Sequence, residues 1–407
     1  MAVAVPPPHQ DLSPFVRACM MALNSEIHRQ IRCRLQGADR FWTNVAWVPW
    51  SRWFPTLDDH DDSVLRWLRL LGFERSLRTR CLRCSMDLEE PVFVIPAFIE
   101  SRNDIEIFEE TLKSLVAQSD AHWKAVIVDD HSTYPWDERD LDGFDPRRMR
   151  VVQKSSNVGP GECRNVGVAW AAETRAPFIL FQDADDIAHP DRVRSARRLF
   201  EEEPGTDFLY STFDIIDEHG ESVPRDKISG SVLEVLDSHS SPIEGRDAWI
   251  PVATRTGYTT LTSTVTVRTD LAVRYPFPAC HASEDTHAWL RMMADGGELR
   301  FVKDIRAGYR IRGGEQGSAS RERQGEGFYW SMLQVDLDGF VKAMHSALSQ
   351  GRIEPERCPG LIRDYHLKQA ETMESEGLAS AASLCRSLAM VSVGASHSPS
   401  GGGGEQR

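Results

Sequence analysis

Four short apolar runs, separated by helix-length or loop segments and followed by polar residues, constrain the fold most. They are Val92-Phe93-Val94-Ile95-Pro96, Trp123-Lys124-Ala125-Val126-Ile127-Val128, Met149-Arg150-Val151-Val152 and Phe178-Ile179-Leu180-Phe181. Mostly continuous apolar runs of this length, without polar alternation, suit strands buried on both faces. Between them, residues 103–118 carry Ile107, Leu112, Leu115 and Val116 at helical spacing. Residues 160–174 form a second predicted helix, opened by Asn157-Val158-Gly159-Pro160-Gly161. Strand, helix, strand, strand, helix, strand is the order of an open α/β sheet, largely parallel, with helices on both faces. Such sheets bind ligands beyond the carboxyl ends of their strands. Polar residues follow the second and fourth runs there: Asp129-Asp130-His131-Ser132 and Asp183-Ala184-Asp185-Asp186.

Beyond this core the pattern is mixed. Phe208–Ile216 and Thr262–Val267 read as strands, Ser283–Met293 as a helix and Leu299–Ile311 as extended chain. The expected organisation is an N-terminal helical, Trp-rich extension (1–90) and a catalytic domain (91–315). A C-terminal helical region (316–395) and a disordered tail (396–407) follow. The tryptophans of the extension, Trp42, Trp47, Trp50 and Trp53, suit packing of a helical cap, with sugar or aromatic stacking as the sharper alternative.

A formal net charge of −14 argues against a non-specific nucleic-acid binder and a polybasic membrane anchor. No run of about 18 apolar residues suggests a membrane span, and the first residues lack the pattern of a secretory signal. The eight cysteines suit reduced thiols, so the expected location is cytoplasmic. Cys81-x-x-Cys84 has no second pair at zinc-site spacing. Arginine in excess of lysine and plentiful alanine fit a high-GC bacterial genome.

The acidic clusters carry the chemistry. Asp183 and Asp185 stand at alternate positions beyond a buried strand, where two carboxylates can converge on a hard cation such as Mg²⁺ or Mn²⁺. Asp186 and Asp191 could equally favour the start of the helix near Pro190. Asp130 at a strand tip could accept from a nucleobase or ribose, or simply form a turn. Gly159 and Gly161 could let a ligand approach a helix N-terminus, with Arg164 adding charge-assisted bonds. No Walker spacing is present, which disfavours a P-loop enzyme. Ser283-Glu284-Asp285 is either a helix cap or a place from which a general base faces the crevice.

In order, these elements resemble family 2 glycosyltransferases of the GT-A fold: Val94-Ile95-Pro96-Ala97-Phe98, Val128-Asp129-Asp130-His131-Ser132, Asn157 to Asn165, Phe181 to Asp186 with His189-Pro190-Asp191-Arg192, and Ser283-Glu284-Asp285. The resemblance spans roughly residues 91–315. It implies an open, mixed, mostly parallel sheet flanked by helices, with helical extensions at both ends. It also implies an inverting transfer of sugar from a nucleoside-diphosphate sugar, a UDP-sugar above all. Residue by residue, Pro96, Phe98 and Glu100 match the first donor loop and Asp130 matches the base-contacting aspartate. Arg164 matches the arginine near base or diphosphate. Asp183-Ala184-Asp185 matches the Asp-x-Asp motif, with Asp185 the direct metal ligand and Asp183 nearer the ribose. Asp285 matches the catalytic base.

The late part of the domain departs from the pattern. The Gln-x-x-Arg-Trp segment of many relatives is missing. Arg310 and Arg312 stand where residues could close over the diphosphate or simply form a surface loop. That absence argues against a processive polysaccharide synthase. The acceptor stays open among a small metabolite, a peptide and a lipid-linked glycan. A nucleotidyltransferase and a non-catalytic sugar-nucleotide-binding scaffold are the other readings. The first lacks a Gly-rich basic signature after the opening strand, and the intact Asp183, Asp185 and Asp285 speak against the second.

Overall fold

The structure, a computed structural model, describes residues 90–136, 144–145, 147–312 and 324–394. The expectations for the Trp-rich extension, for Cys81 and Cys84 and for the tail lie outside the described residues.

The four apolar runs are strands: β1 (Val92–Ala97), β2 (Lys124–Asp129), β3 (Met149–Gln153) and β4 (Phe178–Phe181). They join β5 (Thr206–Ile216), β6 (Thr266–Arg268) and β7 (Glu298–Arg310) in one sheet ordered β3-β2-β1-β4-β6-β5-β7. β1 pairs in parallel with β2 and β4, β2 with β3, and β5 with β7; β6 runs antiparallel between β4 and β5. This is the mixed, mostly parallel open sheet of the GT-A fold expected from the sequence.

Side-chain alternation explains why these strands show no polar face. Val92, Val94, Val126, Val128, Ile179 and Phe181 enter one core, while Phe93, Ile95, Ala97, Ala125, Ile127, Phe178 and Leu180 enter another. Both faces of β1, β2 and β4 are therefore dry, whereas the edge strand β3 alternates, with Arg150 and Gln153 exposed. Helix α1 (Arg102–Val116) supplies Phe108, Leu112 and Leu115 to the second core, as α3 (Arg192–Glu202) supplies Val193, Ala196 and Phe200. The first core receives Cys163, Val168 and Ala171 from α2 (Pro160–Glu173). α2 lies tight on β1: a Cβ at Gly167 would come 2.4 Å from Val94 Cγ1.

Helices α4 (Gly230–Ser238), α5 (Thr269–Arg274) and α6 (Glu284–Asp295) follow. The C-terminal region is helical as expected, with α7 (Glu326–Ser349), α8 (Cys358–Ser375) and α9 (Ala379–Gly394). Among the described residues no helix is long and apolar enough to cross a membrane.

One strand is shorter than its apolar pattern suggests. Thr262–Thr264 form a 3-10 turn, and pairing begins only at Thr266. The Thr264 hydroxyl donates 2.7 Å to the Leu261 carbonyl, a local bond that competes with a ladder. Helix α4 and the helical turn Trp249–Thr256 carry no signal strong enough to have been expected.

Candidate active site

The acidic turn after β4 is held from every side. Ser263 Oγ accepts the Asp183 N–H at 3.0 Å. The Thr111 hydroxyl donates 2.9 Å to the Ala184 carbonyl, Arg310 Nε 2.8 Å to that of Asp185, and Gln182 Nε2 2.9 Å to that of Asp186. Gln182 is itself held by Arg192, which also donates 2.8 Å to the carbonyls of Phe181 and Val265. Fixing a turn before ligand arrives removes reorganisation from the binding step. Thr111, Gln182, Arg192 and Ser263 had no role in the sequence reading. Gln182 and Arg192 carried a signal, through their places in the Phe181 to Asp186 and His189-Pro190-Asp191-Arg192 runs.

Asp186 does not start the next helix. It is buried, and its Oδ1 accepts the Arg310 N–H at 2.9 Å, so it pins the end of β7. Asp191 occupies the position before α3 without capping it; its Oδ1 accepts from Ser119 Oγ at 2.6 Å. The helix-start role of Asp186 is thus replaced by a tertiary contact, whereas Asp191 stays at the helix start and pairs with Arg194 in the first turn at 2.7 Å.

Arg164 is the hinge of the site. Its guanidinium is buried, with Nη2 donating 2.9 Å to Asp183 Oδ1 and Nη1 donating 2.7 Å to Glu284 Oε1. It also lies 5.5 Å from the Phe277 ring centre. One side chain on α2 therefore joins the turn after β4 to the start of α6. Asp285 lies next to Glu284, with Oδ1 accepting the Thr286 N–H at 2.7 Å. Burial pushes the Asp285 carboxyl up to about 6, helped by the Glu284 and Asp183 charges and opposed by Arg164.

The glycines at the start of α2, Gly159 before it and Gly161 within it, serve a different purpose from ligand approach. A Cβ at Gly159 would lie 2.9 Å from His281 Nδ1. One at Gly161 would lie 3.0 Å from both Glu284 Cγ and the Pro278 carbonyl oxygen. The space is filled by this chain's own 278–284 segment. Asp130 is likewise turned to that bend: Oδ1 accepts the Val158 N–H at 2.7 Å and Oδ2 the Gly159 N–H at 2.8 Å.

On the opposite rim, Pro96 is the last but one residue of β1 and Phe98 is 36% exposed. The Glu100 and Ser101 N–H groups donate to Asp104 Oδ2 at 2.9 and 2.8 Å. Asp104 Oδ1 pairs with Arg312, whose Nη2 is 4.0 Å from Asp185 Oδ2. Arg312 thus spans the first loop and the acidic turn. Arg310 is placed differently from expectation. Its side chain is 0% exposed, with donations to the Asp185 and Asp217 carbonyls at 2.8 and 2.9 Å and to Glu110 Oε2 at 2.8 Å. It builds the floor under Asp185 rather than a cover over it.

These residues fit a divalent cation. Partial desolvation and the Asp183 charge raise the Asp185 carboxyl to about 6, although 38% of the side chain stays exposed. Asp186 is raised further by burial and both neighbours, and its Oδ2 is buried without a hydrogen-bond partner. Crowded carboxylates of this kind are relieved by a positive charge. Among the described residues no three such side chains close on one point. The protein would therefore give one or two carboxylates, and phosphate and water the rest.

Residues 92–264 match the model of the family described as Glycosyl transferase family 2. That segment is a family 2 glycosyl transferase domain. The Glu284–Asp285 pair and helices α6 to α9 lie beyond the matched segment of this domain. Over 143 residues, 34% of this chain and 22% of the relative, it is 30% identical to an uncharacterized glycosyltransferase of Rickettsia conorii. Over 133 residues, 32% of this chain and 35% of the relative, it is 29% identical to the succinoglycan biosynthesis protein ExoO of Rhizobium meliloti. The chain spans between 14% and 44% of the length of the curated relatives it matches. The crystal structure of S. aureus TarS 1–349 in complex with UDP-GlcNAc is similar with a TM-score of 0.46 and 18% identity. The similarity covers 74% of this chain and 89% of that one.

Proposed function

We propose that this chain is a metal-dependent, inverting glycosyltransferase that moves a sugar from a UDP-sugar to an acceptor hydroxyl or other nucleophile. The observation that carries the reading is the double engagement of Arg164. By holding Asp183 and Glu284 together, it sets the Asp-x-Asp turn beside the start of α6, where Asp285 is the next residue.

In this reading Phe98, Glu100 and Asp130 flank the nucleoside, and Asp183 faces the ribose side. Asp185, with Asp183, would hold Mg²⁺ or Mn²⁺. When bound, that ion supplies positive charge for the leaving diphosphate. Arg312 adds a fixed positive charge beside Asp185. A carboxyl near 6 is mostly ionised at neutral pH, so Asp285 accepts the acceptor's proton as the new bond to the sugar C1 forms. The bond from C1 to the diphosphate oxygen breaks in the same displacement. The nucleoside diphosphate leaves with the electron pair, and the anomeric centre inverts. Small metabolites, peptides and lipid-linked glycans remain acceptor classes to screen, and a cytoplasmic location follows from the sequence reading.

Thermal stabilisation by UDP with Mn²⁺ or Mg²⁺ tests the donor side. A hundredfold excess over Kd adds about 2.7 kcal/mol. Asp185→Ala is expected to abolish the metal-dependent part. Unchanged metal-dependent UDP binding in that variant contradicts the assignment.

A further inference from the structure

The base has a support that lies outside the family-matched segment. Asp336 on α7 is buried, and each of its carboxylate oxygens receives a hydroxyl. Ser283 Oγ donates 2.5 Å to Oδ1, and Tyr258 OH donates 2.8 Å to Oδ2. Tyr258 OH also lies 3.4 Å from Ser283 Oγ, closing a triangle. Ser283 immediately precedes α6 and is in the left-handed region, at φ 58. A non-glycine residue there carries a backbone cost that its surroundings must offset. The Asp336 contact compensates that cost and sets the direction in which Glu284 and Asp285 leave the turn.

Further contacts keep α7 in place against α6. A Cβ at Gly339, one turn on from Asp336, would lie 2.8 Å from His287 Cα. His287 Nε2 lies 2.8 Å from Asp338 Oδ2. The two helices are therefore in backbone-level contact beside the triangle, so Asp336 has little freedom to follow a shift of Ser283.

We propose that Asp336 is a positioning residue for glycosyl transfer: through Ser283 and Tyr258 it fixes the left-handed turn that aims Asp285 into the crevice. The proposal rests on Asp285 being the base. It makes the C-terminal helices part of the catalytic apparatus rather than an appended bundle.

The test uses the full chain, with Mn²⁺ and UDP release from the UDP-sugar that wild type turns over fastest. Asp336→Ala is expected to lower kcat at least tenfold, with donor KM and calorimetric UDP Kd within twofold of wild type. Asp336→Asn is expected to recover kcat to within threefold, because its amide can accept from Tyr258 and donate to Ser283 Oγ. Ser283→Gly accepts the backbone angle without the hydroxyl and is expected to repeat the kcat loss, which decides the matter if Asp336→Ala does not fold. A purely structural role predicts lower Tm with normal kcat per folded molecule, or a donor KM that rises as kcat is retained; either result overturns the proposal. Asp285→Asn is measured in parallel. Near-normal turnover there overturns the base reading and the positioning role together, whereas a dead Asp285→Asn beside a normal Asp336→Ala overturns the positioning role alone.

Discussion

Arg164 donates 2.9 Å to Asp183 from a position where its own side chain is only 5% exposed. A guanidinium so placed has given up water for two carboxylates, Asp183 and Glu284, so its energetics are those of a buried network rather than a surface pair. The same contact decides where the acidic turn after β4 stands relative to α6.

Arg164→Ala leaves two poorly solvated carboxylates facing each other. Removing one partner from a buried network costs about 3 kcal/mol or more, which denaturant unfolding would show. Activity is expected to fall at least a hundredfold. Arg164→Lys keeps the charge but not the two-pronged geometry, and is expected to recover stability more than activity.

The pH dependence of kcat follows from Asp285. A base must be deprotonated to act, so its protonation removes activity. With the carboxyl at about 6, kcat is expected to be level above neutrality and to fall about tenfold per pH unit well below 6. Initial rates between pH 4.5 and 8 check this. An acid limb near 4, the ordinary carboxylate range, contradicts the burial argument.

Arg310 illustrates a site residue that acts from below. Its three donations go to Asp185 O, Asp217 O and Glu110. Arg310→Met removes them without a large loss of volume. We expect destabilisation of about 2–3 kcal/mol, since three hydrogen bonds from a charged, buried donor are lost together. Metal-dependent UDP affinity is expected to drop with it, because the Asp185 carbonyl loses its anchor. Calorimetry in the presence and absence of Mn²⁺ separates the two effects.

Gly339→Ala sets helix propensity against packing. In an exposed helix the change gains about 1 kcal/mol. Here the new methyl would meet His287 Cα at 2.8 Å, and overpacking of that kind costs about 1–3 kcal/mol. Net destabilisation by thermal unfolding is the expected outcome, and a stabilised variant would show that α7 separates from α6 easily.

Much of this molecule is legible in its sequence, for definite reasons. The run Phe178-Ile179-Leu180-Phe181 is apolar throughout because both faces of β4 are buried, and that makes the position of Asp183 and Asp185 readable. Asp285 is singled out only by the family resemblance, since an acidic pair that opens a helix usually does no more than cap it. Arg310 is not legible, since nothing in Gly308-Tyr309-Arg310-Ile311-Arg312 distinguishes an arginine buried under the turn from one exposed above it. Only the parallel pairing of β5 with β7, with its register shift between Ser211 and Thr212, decides which of the two points inward. Asp336 is equally silent: its partners, Ser283 and Tyr258, lie 53 and 78 residues away, and no local pattern links them. The glycines of Gly159-Pro160-Gly161 are legible as a close approach, but the approaching group is the 278–284 segment rather than a ligand.

The most direct measurement is metal-dependent UDP release from a UDP-sugar by wild type and by Asp285→Asn, with UDP affinity determined for both. The account predicts release that requires Mn²⁺ or Mg²⁺ in wild type, and a loss of at least a hundredfold in Asp285→Asn with UDP affinity within about threefold of wild type. Near-wild-type release by Asp285→Asn, or wild-type release that is indifferent to a metal chelator, would contradict it.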